Sequence, residues 1–311
     1  MPYRAVIFDR KEVRLQMTGN LSTKKNAAPF CLLIMIQNIL YGFGDPISKA
    51  AYEVMPVYSL LAVRYFIALV LFIFIGRRNI LRGLKQCKPK VWLLPSVCIA
   101  GCYVLSNVAL ELTAATSVAF LRSLTTVMTP ILAFFAYRTK YQKYHIPIQA
   151  MIVVGLYLLC GKGGLAGFGL GEVLTLLSAF LMAGALVFGG KALEEMDAVT
   201  LSTVQTAACV VMAVVCSFVF DGGIQVKDAT GQTWTVICYL GICCTLAGYL
   251  LQNVALEKIP SRVVALIQCL CPVMTAVFSF ILLGEKMSVY GVVGALILLV
   301  CVMAEILMEK D

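Results

Sequence analysis

Apolar residues along this chain gather in blocks, and polar residues gather between the blocks. Ten mostly apolar stretches run over 29–52, 56–76, 91–111, 115–137, 146–161, 172–191, 198–220, 234–256, 262–283 and 288–308. A helix needs roughly 20 apolar residues to cross the hydrocarbon of a bilayer. Nine of the stretches have about that length, and the shorter fifth one extends into its flanks. Barrel strands need about ten residues and alternate in polarity, so strands are excluded. The separators carry turn chemistry: Glu53 to Pro56, Gly161 to Gly164, Asp221-Gly222-Gly223, Ile259-Pro260-Ser261 and Gly284-Glu285-Lys286. The pattern predicts an all-α polytopic membrane protein with ten transmembrane helices.

Composition agrees. Apolar residues make up 61% of the 311 and charged residues 13%, where a soluble domain carries about a quarter charged residues. Length here counts spans, not soluble domains.

Lysine and arginine set the expected orientation. With the N-terminus inside, nineteen of the 25 fall in inside segments, from Arg4 through Lys310. Outside segments hold Lys162, Lys227 and Lys286, and Lys49, Arg64 and Arg122 fall within spans. That bias places both termini in the cytoplasm. It also accounts for the net charge of +9. The basic residues sit in short loops, with no soluble domain or aromatic-interleaved patch, which argues against nucleic acid as a partner.

The second half echoes the first. Tyr103-Val-Leu-Ser-Asn107-Val-Ala-Leu-Glu111 returns 146 residues later as Tyr249-Leu-Leu-Gln-Asn253-Val-Ala-Leu-Glu257, and Val127-Met128-Thr129 returns as Val273-Met274-Thr275. The first copy lies on span three and the second on span eight. Five spans separate them, an odd number, so the halves are expected to be inverted in the membrane, as carriers built around one central site are. Three parts follow: a polar cytoplasmic tail over 1–27, a first five-helix repeat over 28–161 and a second over 162–311. The tail has no signal-peptide pattern, and Met17 is an alternative start.

Several features have plain readings. Twelve of the thirteen cysteines lie within spans, Cys87 alone lying in a loop, and none has zinc spacing in a soluble fold. No metal or cofactor is expected. The glycine-rich stretch from Gly161 to Gly171 links the halves and follows no strand, so it is not a phosphate loop. Gly291 and Ala295 form a small-xxx-small pair suited to close helix packing.

Polar groups inside spans are the candidates for function, because burying them in hydrocarbon is costly. Arg64 lies about 12 Å from the outer end of span two, counted at 1.5 Å per residue, and Arg122 lies at similar depth in span four. Asp45 and Lys49 are one turn apart on span one. Guanidinium groups suit carboxylate and phosphate. The competing readings are that Lys49 snorkels to the surface and that Asp45 pairs with Lys49 or Arg64. Tyr41, Gln205 and Gln268 complete the expected cavity lining. Gln37, Asn38 and Gln252 are further polar groups within spans. Asn107 and Asn253, matched in the repeat as Tyr103 and Tyr249 are, suit helix-to-helix hydrogen bonding. Pro130 and Pro272 are flexing points or ordinary kinks.

These residues carry a resemblance. Tyr41-Gly42 followed by Lys49, Arg64-Tyr65-Phe66, the stretch from Phe120-Leu121 to Pro130, Gly171-Glu172, and Gly284-Glu285 with Gly291 and Gly294 together resemble the EamA-type branch of the drug/metabolite transporter superfamily. The likeness covers residues 28 to 308. It departs where Arg138-Thr139 stands in place of a Gly-Glu turn, and Arg122 matches no family-wide position. The resemblance implies two five-helix repeats, a central cavity and alternating access, with export of amino acids or related zwitterionic or anionic metabolites. A lipid flippase or a multidrug exporter is the alternative. An enzyme is disfavoured, because no nucleophile–base pair is visible and His145, the one histidine, sits at a helix start. The expected setting is a cell inner membrane, as monomer or homodimer, with a small metabolite and the bilayer as partners.

Overall fold

The computed structural model describes residues 28–113, 115–138, 145–160, 169–226, 229–283 and 289–308. The N-terminal tail, the centre of the glycine-rich link and the Gly284-Glu285 turn lie outside the described residues.

No strand occurs among the described residues. The helices are α1 (Ala28–Tyr52), α2 (Val57–Gln86), α3 (Pro89–Leu112), α4 (Ala115–Ser123), α5 (Thr125–Tyr137), α6 (His145–Cys160), α7 (Leu170–Ala192), α8 (Ala198–Cys216), α9 (Gly231–Tyr239), α10 (Gly248–Lys258), α11 (Ser261–Gln268), α12 (Cys271–Leu283) and α13 (Val289–Met308). A π-helical turn, Ser217–Asp221, follows α8, and a π-helical segment, Leu240–Ala247, joins α9 to α10. Counting through these joints, eight helical stretches among the described residues are long and apolar enough to cross a membrane. Two shorter apolar helices, Ile146–Gly155 and Val289–Val302, stand where the fifth and tenth spans are expected.

Burial is inverted relative to a soluble protein. Phe74, Phe135, Phe220 and Val300 are exposed, whereas Gln37, Asn38, Ser59, Thr129, Gln252 and Asn253 are buried. An apolar surface of this extent suits lipid, and the buried polar groups must find partners inside. Many do so locally. Thr129, Thr175 and Thr206 each donate to the carbonyl four residues back. Helix ends are capped from within: Asp197 accepts from Thr200 N at 2.9 Å, and Asp221 accepts from Ser59 N at 3.0 Å in the first turn of α2.

The halves are interlocked. α3 packs on α7 and α8, α2 on α8, α1 on α12 and α10, and α6 on α13. Gly42 is required for one of these contacts, since a Cβ there would lie 2.5 Å from Met274 Cβ and 2.9 Å from Thr275 N. The largest core cluster draws on both repeats, from Ile34 and Leu61 to Leu186, Leu201 and Val264.

Two spans are broken at the repeat spacing of 146 residues. α4 ends and α5 begins around Leu124; α11 ends and α12 begins around Cys269 and Leu270. Proline does not set the first break, because α5 runs through Pro130 six residues later. There the Thr125 hydroxyl takes the Arg122 carbonyl at 2.7 Å. Pro272 is the second residue of α12, where a missing N–H costs little.

Candidate solute-binding cavity

Four tyrosines from both halves meet at the centre: Tyr41 on α1, Tyr65 on α2, Tyr103 on α3 and Tyr249 on α10. The Tyr103 and Tyr249 rings stack, 5.4 Å apart and 26° from parallel. Tyr65 lies 6.5 Å from one and 6.4 Å from the other. Tyr103 and Tyr249 are matched repeat positions, so any two-fold axis relating the copies passes through this stack. Tyr103 OH donates to Tyr41 OH at 3.0 Å. Tyr41 lies across α10 because position 248 is glycine; a Cβ there would stand 2.7 Å from the Tyr41 ring and hydroxyl.

Two cavities flank this cluster. The first is lined by the four tyrosines with Asp45, Arg64, Asn107, Arg122, Cys244 and Thr245. The second is lined by Asn38, Ser123, Thr125, Thr126 and Gln268 among others. Tyr41, Tyr103 and Arg122 border both.

The charges divide unequally. Arg122 and Asp45 pair at 2.7 Å, and Thr275 donates to the same carboxylate at 3.4 Å. Asp45 therefore pairs with neither Lys49 nor Arg64. Arg64 is 6% exposed. It donates to Tyr65 OH at 3.0 Å and holds its guanidinium 4.8 Å from that ring's centroid. Its Nε has no partner, and among the described residues no carboxylate forms an ion pair with it. A buried cation without an anion is costly.

Two expected lining residues are placed elsewhere. Lys49 donates to the Thr113 carbonyl at 3.1 Å, at the C-terminal end of α3, where a cation meets the negative end of the helix dipole. Gln205 is buried and accepts from Asn253 at 2.7 Å. Asn253 also donates to Ser202 at 2.9 Å, so it ties α10 to α8. Its repeat partner Asn107 instead donates to the Tyr103 carbonyl at 2.7 Å, accepts from Tyr52 OH and borders the cavity. Gln268 donates to Gln37 at 3.1 Å and to Gln252 at 2.8 Å.

Tyr65, Cys244 and Thr245 line the cavity without having been singled out by sequence. The adjacency of Tyr65 to Arg64 was a usable signal. Nothing in the sequence marks the π-helical segment that turns Cys244 and Thr245 inward; such segments gather at functional sites. Gly241, in the same segment, lies close to the Arg64 backbone: a Cβ there would be 3.0 Å from the Arg64 carbonyl.

No disulfide joins the described cysteines. Cys87 is buried and its thiol donates to the Glu195 carbonyl at 2.9 Å. Burial, then the nearby Glu195 and Asp197, push this thiol above its usual range. No cluster with metal-ligand character occurs among the described residues.

The sequence profile of the EamA-like transporter family matches this chain twice, over residues 28–161 and 169–304. The chain belongs to the EamA-like transporter family. It is a multi-pass membrane protein and a membrane transporter. Two proteins of Archaeoglobus fulgidus, each described as an uncharacterized transporter, are similar to it. One is 27% identical over 224 residues, covering 70% of this chain and 76% of its own. The other is 23% identical over 267 residues, covering 85% and 81%. A solved crystal structure matches with a TM-score of 0.74 at 15% identity, covering 91% of this chain and 98% of its own. That likeness concerns the fold.

Two EamA-like copies allow position-by-position comparison. α4–α5 and α11–α12 start and end 146 residues apart, which pairs Arg122 with Gln268. α2 and α8 start 141 residues apart, aligning Ser59 with Thr200, Leu60 with Leu201 and Val63 with Val204, and pairing Arg64 with Gln205. The preceding turn keeps that spacing through Ala51 and Ala192, Glu53 and Glu194, and Met55 and Met196, which pairs Asp45 with Leu186 and Lys49 with Gly190. Each of these four charged residues of the first copy is matched by a neutral one in the second.

Proposed function

We propose that this transporter moves small organic anions or zwitterions, amino acids included, outward across a cell inner membrane by alternating access. The supporting observation is Arg64, a buried guanidinium that lines the cavity with an orphaned Nε and no carboxylate partner among the described residues. A carboxylate or phosphate can take two parallel hydrogen bonds from such a group. Ten spans in two inverted repeats, with both termini cytoplasmic, follow from the positive-inside bias and the odd separation of the matched strings. Because the repeats interdigitate, the elements that rearrange are the broken spans, α4–α5 and α11–α12, whose joints both border the second cavity.

The test is flux of a labelled amino-acid panel into proteoliposomes holding the purified protein. Saturable flux that Arg64→Gln abolishes is the expected result. An absence of saturable flux for every member sinks the amino-acid version. Flux indifferent to Arg64→Gln sinks the role of the guanidinium.

A further inference from the structure

The second cavity has a chemistry opposite to the first. Asn38 is buried and donates through Nδ2 to the Ile267 carbonyl at 2.7 Å, beside the break between α11 and α12. That bond fixes the amide, and Oδ1 is left buried with no partner. Gln268 spends its N–H groups on Gln37 and Gln252, which leaves its carbonyl oxygen as an acceptor. The hydroxyls of Ser123, Thr125 and Thr126 all donate to backbone carbonyls at 2.7–3.1 Å. Arg122 is held by Asp45, and beside the Tyr41 hydroxyl the open amide groups of this lining, Asn38 Oδ1 and the Gln268 carbonyl oxygen, are acceptors.

We propose that this cavity is a second solute subsite, built for neutral hydrogen-bond donors, so that the transported solute is a hydroxylated organic anion. The inference rests on the Arg64 reading above: the anionic end meets Arg64 and the hydroxyl end meets Asn38. Asn38 and Asp45 are seven residues apart on α1, about 10 Å along its axis. The two cavities share Tyr41, Tyr103 and Arg122 as borders, so a solute of five or six carbons running from one to the other passes these side chains. Hydroxyls suit the second cavity better than an ammonium does, because Arg122 borders it and Asp45 does not.

The test is calorimetric titration of the purified full-length protein with gluconate, hexanoate and 6-aminohexanoate. Gluconate is expected to bind at least tenfold tighter than either of the others, the effect of one or two neutral hydrogen bonds to otherwise unpaired acceptors. Asn38→Leu is expected to weaken gluconate about tenfold and leave hexanoate unchanged. Gluconate binding no tighter than hexanoate, 6-aminohexanoate binding tightest, no binding of any of the three, or an equal loss of all ligands in Asn38→Leu would each overturn the subsite. The comparison on the unsubstituted protein decides even if the variant does not fold. Arg64→Gln separates the two claims. Gluconate binding that survives it removes the anion site, whereas loss of gluconate and hexanoate alike keeps that site whatever Asn38 does.

Discussion

Arg64 and Gln205 hold matched positions on α2 and α8, and their fates differ. Gln205 closes a hydrogen bond with Asn253 and is finished as packing. Arg64 is also buried, borders a cavity and keeps an unpaired nitrogen. Arg122 and Gln268 repeat the contrast at the two helix breaks: one pairs with Asp45, the other joins an amide network with Gln37 and Gln252. A duplicated scaffold supplies two broken spans and a stacked tyrosine pair, while the ionic chemistry belongs to one copy. An asymmetric solute needs that asymmetry, since two equal sites would bind either end.

The largest expected effect comes from breaking the ion pair. Asp45→Leu installs the residue found at the matched position, Leu186, and strands Arg122; a loss of about 3 kcal/mol or more is expected in unfolding of the protein in nanodiscs. Adding Arg122→Gln completes the second copy's chemistry and should restore most of that stability. A double variant as unstable as the single one would show that the copies are not interchangeable there.

Arg64→Gln brings the first copy to the second copy's chemistry on α2. Anion flux is expected to fall about 100-fold, as two charge-assisted hydrogen bonds are lost, while the melting temperature holds or rises because an unpaired buried charge is gone. A drop in both would mean that Arg64 is structural.

Gly248→Ala tests the tyrosine cluster. The added Cβ must push Tyr41 from its bond with Tyr103, costing about 1–3 kcal/mol and weakening solute binding. The same change at the matched position, Cys102→Ala, shortens a side chain and should cost less than the glycine variant; thermal unfolding of the pair reads the difference.

The smallest effect concerns Arg138, which ends α5 in the left-handed region at φ 52°. The matched residue in the sequence is Gly284. Arg138→Gly removes a strain of about 1 kcal/mol, so a slightly higher melting temperature is expected, and an unchanged or lower one would argue against it.

Much of the architecture was legible along the chain, because crossing hydrocarbon imposes length and apolarity on every span. The blocks at 91–111 and 172–191 lie within α3 and α7 to within a few residues. The tyrosine stack was half legible: the repeat marked Tyr103 and Tyr249 as equals, and nothing marked them as neighbours. Lys49 and Gln205 were read as lining because polar groups within spans are costly. Cost alone does not distinguish a group that faces a cavity from one that closes a hydrogen bond to another helix.

The sequence by itself determined the membrane-spanning class, the duplication and the inventory of buried charge, since each is written in composition or spacing. Which charge meets which was decided by tertiary structure alone. Asp45, Arg64 and Arg122 lie on three separate spans. Their pairing depends on helix rotation and on close approaches permitted by Gly42, Gly241 and Gly248, which no one-dimensional pattern contains. That packing turned three similar candidates into one closed ion pair and one guanidinium left open to the cavity.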